Sequence, residues 1–236
     1  MAVIWGLDLK EMQWGKFKSG YMWNTEYHRR RTKFIVYQIA MICCVVSESL
    51  GTAVLSDYID QQNYVSGNYP GATVYNNDFV GVASYNIFVG VYVATIFGSA
   101  FFFDLFWPER QESPAVKLAW RICSVLACVF TLASALAYTV ILVTHSAIVA
   151  PDDPTSRKLL DESGGMPLTY RKNGRAVASV VFLWVGLCGT IASTVLLWRS
   201  LEYIDEFGPK SKAGRKSQEQ VAKEENDVGI DDTRAT

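Results

Sequence analysis

Residues 176–198 read AVASVVFLWVGLCGTIASTVLLW, 23 consecutive positions without a charged side chain. A helix rises about 1.5 Å per residue and the hydrocarbon core of a bilayer is about 30 Å thick, so this stretch is long enough to cross it. Phe34–Leu55, Val82–Phe106 and Leu118–Thr144 have the same character. Their charges are few: Glu48 in the first, Asp104 near the end of the second, Arg121 near the start of the third. The expected fold is all-α, a four-helix transmembrane bundle over 34–198 with irregular outer loops. A segment 1–33 leads into it and a tail, 199–236, follows.

The bulk composition hides this pattern. Mean hydropathy is only +0.12 and 19% of residues are charged, because the charge lies outside the spans. A net charge of −1 gives no reason to expect a nucleic-acid partner. The five cysteines (Cys43, Cys44, Cys123, Cys128, Cys188) all fall within spans, so none can staple a loop, and each reads as a small buried apolar residue. Met1–Lys18 has no uninterrupted apolar core, so the first span is the expected insertion signal.

Basic residues set the expected orientation. Seven of the 22 Lys and Arg precede the first span, seven follow Trp198, and three belong to 107–117 with Arg121. The 56–81 loop has none and the 145–175 loop has five. Both termini and the central loop are therefore expected in the cytoplasm. The C-terminal residues match no retrieval or prenylation address, and the plasma membrane is favoured over endomembranes.

The lead segment mixes Trp5, Trp14, Phe17, Tyr21, Trp23 and Tyr27 with Lys and Arg, which suits the headgroup layer. Ser56–Gly81, with four tyrosines and Pro70-Gly71, reads as a compact loop or short hairpin. The loop carrying Pro151, Pro154 and Gly164-Gly165 reads as mostly irregular. The last helix should continue through Phe207 and stop at Gly208-Pro209, with Lys210–Thr236 a disordered tail.

Inside the spans, small residues four apart mark helix-packing faces, because lipid gives helices no hydrophobic reason to associate. Span two has Asn86, Gly90, Ala94 and Gly98, span three Ala127, Thr131 and Ala135, and span four the pairs Gly186 with Thr190 and Gly189 with Ser193. Closing the bundle is the favoured role; a homo-oligomer seam is the other. Gln38, Met41, Val45, Glu48 and Thr52 share a face expected to point inward. Depth counting brings Glu48, Asn86 and Tyr138 into one intramembrane polar cluster. No Lys or Arg lies at that depth, so the uncharged, hydrogen-bonding acid is the expected form of Glu48. An interhelical lock is preferred over a proton- or ligand-sensing site. Asp104 and Arg121 could pair across the span two–span three hairpin or reach headgroups separately.

Catalytic patterns are missing. His28 and His145 fall on opposite membrane faces, and the sequence has no phosphate-binding glycine loop and no Gly-x-Ser-x-Gly. No enzyme, metal or cofactor is expected. In layout the chain resembles the MARVEL-type and eisosome-type four-span proteins that organise membrane domains. The run from Leu197-Trp198-Arg199 to Phe207-Gly208-Pro209 looks like the end of the last span in uncharacterised fungal four-span proteins. The leading expectation is a non-enzymatic membrane-domain organiser or scaffold that works through lateral contacts and its cytoplasmic tail. Its partners would be the lipid bilayer and a second copy or other membrane proteins. A small transporter or channel subunit using Glu48 is the alternative.

Overall fold

The computed structural model describes residues 3–4, 7–110, 112–164 and 166–220. The chain is an all-α bundle of four long apolar helices: α2 (Arg30–Asn68), α3 (Asn77–Phe106), α4 (Pro114–Thr144) and α6 (Gly174–Phe207). The helix satisfies every backbone amide within its own segment, which is why runs of this hydropathy take that form in lipid. Shorter elements decorate the two ends: β1 (Val3–Ile4), β2 (Leu7–Asp8), α1 (Ser19–Met22), β3 (Thr73–Tyr75), β4 (Ile148–Ala150) and α5 (Pro154–Glu162). One end, called here the terminal face, carries the first and last described segments, 7–29 and 208–220, and the connection from α3 to α4; the opposite end is the distal face.

Helix starts follow local chemistry. Ser113 caps α4 through the Val116 amide, Asp153 caps α5 through the Ser156 amide, and a proline occupies the first turn of each. The Asn173 side chain accepts from the Arg175 and Ala176 amides at the start of α6. At the other end α6 runs to Phe207 and stops at Gly208, whose φ of 78° suits glycine.

The connections are more ordered than the sequence suggests. Helix α2 does not stop at Leu55; its 39 residues span about 58 Å, so it overshoots the bilayer by several turns. Val54, Tyr58, Gln61 and Val65 continue its buried face, and this packing holds the extension despite the polar residues between them. The expected local hairpin in 56–81 does not form. Instead β3 pairs antiparallel with β4 of the second distal connection, Val74 opposite Val149. That second connection also contains α5 and a 3-10 turn at Tyr170–Lys172. At the terminal face, residues 212–220 are helical and docked, not disordered; the expectation for 221–236 lies outside the described residues.

The apolar interior divides in two. A distal core gathers Val54, Tyr58, Phe79, Ala83, Tyr138, Tyr170 and Leu183. A terminal core gathers Phe34, Tyr37, Val89, Val93, Phe97 and Leu105. Between them, at residue 47 of α2, 86 of α3, 134 of α4 and 179 of α6, every long helix places a polar side chain.

Candidate functional site

Those four side chains form one hydrogen-bonded node. The Ser134 hydroxyl donates to Asn86 Oδ1 (3.4 Å), and Asn86 Nδ2 donates to Ser47 Oγ (3.1 Å). Ser47 and Ser179 hydroxyls lie 3.3 Å apart, and Ser179 Oγ donates to the Ser47 carbonyl at 2.7 Å. Because the Ser179 proton is used there, Ser47 supplies the proton between the two hydroxyls. The donors then run in one consistent order, Ser134 to Asn86 to Ser47 to Ser179 and back to the α2 backbone. All four residues are buried and neutral, and each of the four long helices contributes one. A buried polar group left unpaired costs free energy, so the network ties the helices together by the cost of breaking it.

Of the three residues expected to cluster, the structure brings Asn86 and Tyr138 together and turns Glu48 to a neighbouring face. Asn86 is in the node. Tyr138 lies against it: its hydroxyl is 3.6 Å from the position a Cβ on Gly51 would take, with Asn86 Nδ2 and Ser179 Oγ each 3.4 Å from that point. The Tyr138 hydroxyl is buried without a hydrogen-bond partner among the described residues. Glu48 is one residue further along α2 than Ser47, a rotation of about 100°. It is half-buried beside Gly90, and its carboxyl makes no hydrogen bond among the described residues. The inward face of α2 is Tyr37, Ala40, Cys44, Ser47, Gly51 and Val54, whereas Val45 and Thr52 of the expected face are exposed.

Glycines explain that rotation. A Cβ on Gly189 would lie 2.9 Å from Ala40 Cα, and one on Gly186 would lie 2.7 Å from Cys44 Sγ. Only bare backbone lets α6 approach α2 so closely, and the approach turns Ala40 and Cys44 inward. On α3, a Cβ at Gly90 would meet Glu48 Oε2 at 2.5 Å and one at Gly98 would meet Met41 Sδ at 3.3 Å. Ala94, between them, is half-buried. These small residues face α2 within the bundle.

Asp104 does not pair with Arg121. Its carboxylate takes Lys33 Nζ at 2.6 Å and Arg110 Nη1 at 3.1 Å, and Arg110 also reaches Glu112 at 2.6 Å. Lys33 adds a bond to Ser200 Oγ (3.2 Å), so the start of α2, the end of α3, the following turn and α6 share one charged network. Arg121 keeps a buried Nε without a partner. Sequence reasoning missed Lys33 and Arg110 as partners of Asp104, because their closeness depends on how α2 is rotated against α3.

Around this network the terminal segments are knitted together. Ser211 donates its amide to the Glu26 carbonyl (2.7 Å) and its hydroxyl to the Thr25 carbonyl (2.7 Å). His28 stacks on Tyr203 with ring centres 3.5 Å apart. Burial, reinforced by Arg29 and Lys33, pushes the His28 ring down to about 4, so it stays neutral near pH 7. On the lead segment, Trp107 Nε1 donates to the Asp8 carbonyl (2.9 Å), anchoring that segment under α3. At the distal face Asp78 accepts from the Tyr170 hydroxyl (2.8 Å) and lies 2.6 Å from His145 Nδ1, fastening the two distal connections. Burial, then the bond to Asp78, pushes the Tyr170 hydroxyl well above the ordinary tyrosine range.

Against known proteins, the chain matches no family model, no curated protein and no solved structure.

Proposed function

We propose that this four-span membrane protein is a non-enzymatic organiser or scaffold, with both termini in the cytoplasm, working through lateral contacts and through its terminal face. The observation that carries the reading is the node. Four polar side chains in the middle of the bundle, one from each long helix, are neutral and bonded to one another, between two packed apolar cores. Such an interior favours one fixed arrangement over an alternating one. The knitted terminal face adds a rigid platform of the kind a scaffold presents, and the basic flank of α2 favours its cytoplasmic placement.

A transporter or channel subunit is the second reading, and one observation favours it. Glu48 is an ionisable group at span depth with no side-chain bond among the described residues, and such residues mark ion pathways in other membranes. Proteoliposomes loaded with a pH-sensitive dye separate the two. A scaffold gives proton flux no greater than empty vesicles, while proximity labelling in the native cell returns a reproducible set of membrane neighbours. Saturable flux that disappears in Glu48→Gln would replace the scaffold reading with the transporter.

A further inference from the structure

A cavity of about 620 Å³ opens at the terminal face between the end of α3, the start of α4, the last turns of α6 and the docked tail. Its wall carries Lys33, Arg110, Lys117, Lys210 and Arg215 against Asp104, Glu109, Glu112 and Asp205. Each of those carboxylates already has a cation: Asp104 has Lys33 and Arg110, Glu112 has Arg110, Asp205 has Lys117, and Glu109 has Lys210 at 3.5 Å. Arg215 has no carboxylate among the described residues. Its guanidinium donates to the Tyr203 hydroxyl (3.0 Å) and lies over the Phe207 ring (5.3 Å).

Behind the cavity a recess of about 20 Å³ shares Lys33, Asp104, Pro108, Ile204 and Pro209 with it and is closed by Arg30. Arg30 is only 2% exposed, and its Nε and Nη1 have no hydrogen-bond partner among the described residues. Its one polar contact among them is Nη2 to the Leu105 carbonyl at 3.4 Å, and Tyr21, Tyr27 and Phe34 surround it at 4.5–5.3 Å. A buried guanidinium without an anion is costly, and aromatic faces only partly offset that cost. Two cations, Arg30 on the recess and Arg215 on the cavity wall, thus lack a paired carboxylate among the described residues.

We propose that this cavity binds a phosphate-bearing headgroup, with one phosphate oxygen entering the recess toward Arg30 and Lys33 and the remainder of the headgroup facing Lys210 and Arg215. A recess of that size takes a single oxygen atom, and arginine's planar fork suits phosphate. A tetrahedral anion with several oxygens can satisfy more than one cation at once. The cavity lies where the spans end, and Leu197 and Leu201 of α6 give it an apolar side, so a lipid of the adjoining leaflet reaches it as readily as a soluble phosphate compound does. Because Lys210 and Arg215 belong to the tail and Lys33 to α2, the bound anion also fastens the tail to the bundle.

The test uses the full chain in phosphatidylcholine nanodiscs. One arm adds a minor fraction of phosphatidylinositol bisphosphate to the lipid; the other adds soluble inositol trisphosphate. Native mass spectrometry counts bound molecules, and hydrogen exchange follows residues 212–220. One saturable site per chain and slower exchange in 212–220 are expected, with affinity reduced about tenfold in Arg215→Gln and in Lys210→Gln, the loss of about one charge-assisted contact each. Lys212→Gln, exposed and off the cavity wall, should bind as wild type does. Binding in the first arm alone assigns the headgroup to the bilayer; binding in the second shows that a free polyphosphate suffices. No saturable binding in either arm overturns the proposal, as does equal weakening by Lys212→Gln and Arg215→Gln.

Discussion

In the middle of the bundle, Ser47, Asn86, Ser134 and Ser179 are neutral, small and bonded to one another. At the terminal face, Lys33, Asp104, Arg110 and Glu112 are charged, long and bordered by a cavity. Both regions join several helices through polar groups taken largely out of water. The difference lies in what the surroundings allow. At mid-membrane depth nothing solvates an ion, so amides and hydroxyls are the groups that can be buried cheaply. Where the helices emerge, long basic side chains reach headgroups and water, and ion pairs can form. The two junctions should therefore fail differently when a partner is removed.

The largest loss is expected at the charged junction. Asp104→Ala strips Lys33 of the one carboxylate it has among the described residues, at a site where the lysine side chain is 8% exposed. Breaking a buried pair from one side costs about 3–5 kcal/mol, so unfolding in mixed micelles should show a loss near the lower end of that range. The double variant Lys33→Met, Asp104→Leu should lose less than Asp104→Ala alone. A single-variant loss below that of the double would mean that the network is solvated and weak.

The next loss tests the close approach that sets the rotation of α2. Gly189→Ala forces a carbon to 2.9 Å from Ala40 Cα, which is backbone and cannot yield, and should cost about 1–3 kcal/mol. Gly98→Ala meets only Met41 Sδ, at 3.3 Å, and a flexible methionine can move, so stability should stay close to wild type. Equal costs at the two positions would remove the asymmetry between the α2–α6 and α2–α3 contacts.

A smaller effect follows from His28. Its folded pKa of about 4 lies below the ordinary value near 6.5, so the folded state prefers the neutral ring. The unfolded state takes up the proton first as pH falls. The contribution to stability is therefore whole above about pH 6.5 and is lost progressively as pH drops toward 4. The protection of amides in 212–220, measured against their intrinsic exchange rate at each pH, should fall over that window, and His28→Phe should flatten the response. A pH-independent protection factor would disconnect His28 from the docking of the tail.

The spans were legible because hydropathy needs no partner to be read. The helical reach of α2 past Leu55 was present in the spacing of Val54, Tyr58, Gln61 and Val65, but the turn residues around Pro70-Gly71 and the charges at Asp57 and Asp60 masked it. Tail docking was masked in a similar way: 210–220 is polar, and Ser211 docks on the backbone of Thr25 and Glu26, which sequence does not display. The node was half legible. Asn86 stood out, whereas Ser47, Ser134 and Ser179 look like ordinary small residues, and the carboxyl of Glu48 drew the inward face one residue too far. Choosing between adjacent residues depends on helix rotation, which Gly186 and Gly189 set from another helix. The partner of Asp104 was hidden for the same reason.

That one-residue choice gives the most direct test of the account, a side-by-side unfolding measurement of Asn86→Leu and Glu48→Leu in one bilayer mimic. Asn86→Leu leaves the Ser47 and Ser134 hydroxyls each short of a partner, and should cost about 1–2 kcal/mol. Glu48→Leu removes a carboxyl that makes no hydrogen bond among the described residues, and should leave stability unchanged or slightly raised. A loss at Glu48 as large as that at Asn86 would contradict the account, returning the lock to Glu48 and reducing the four-helix node to a bystander.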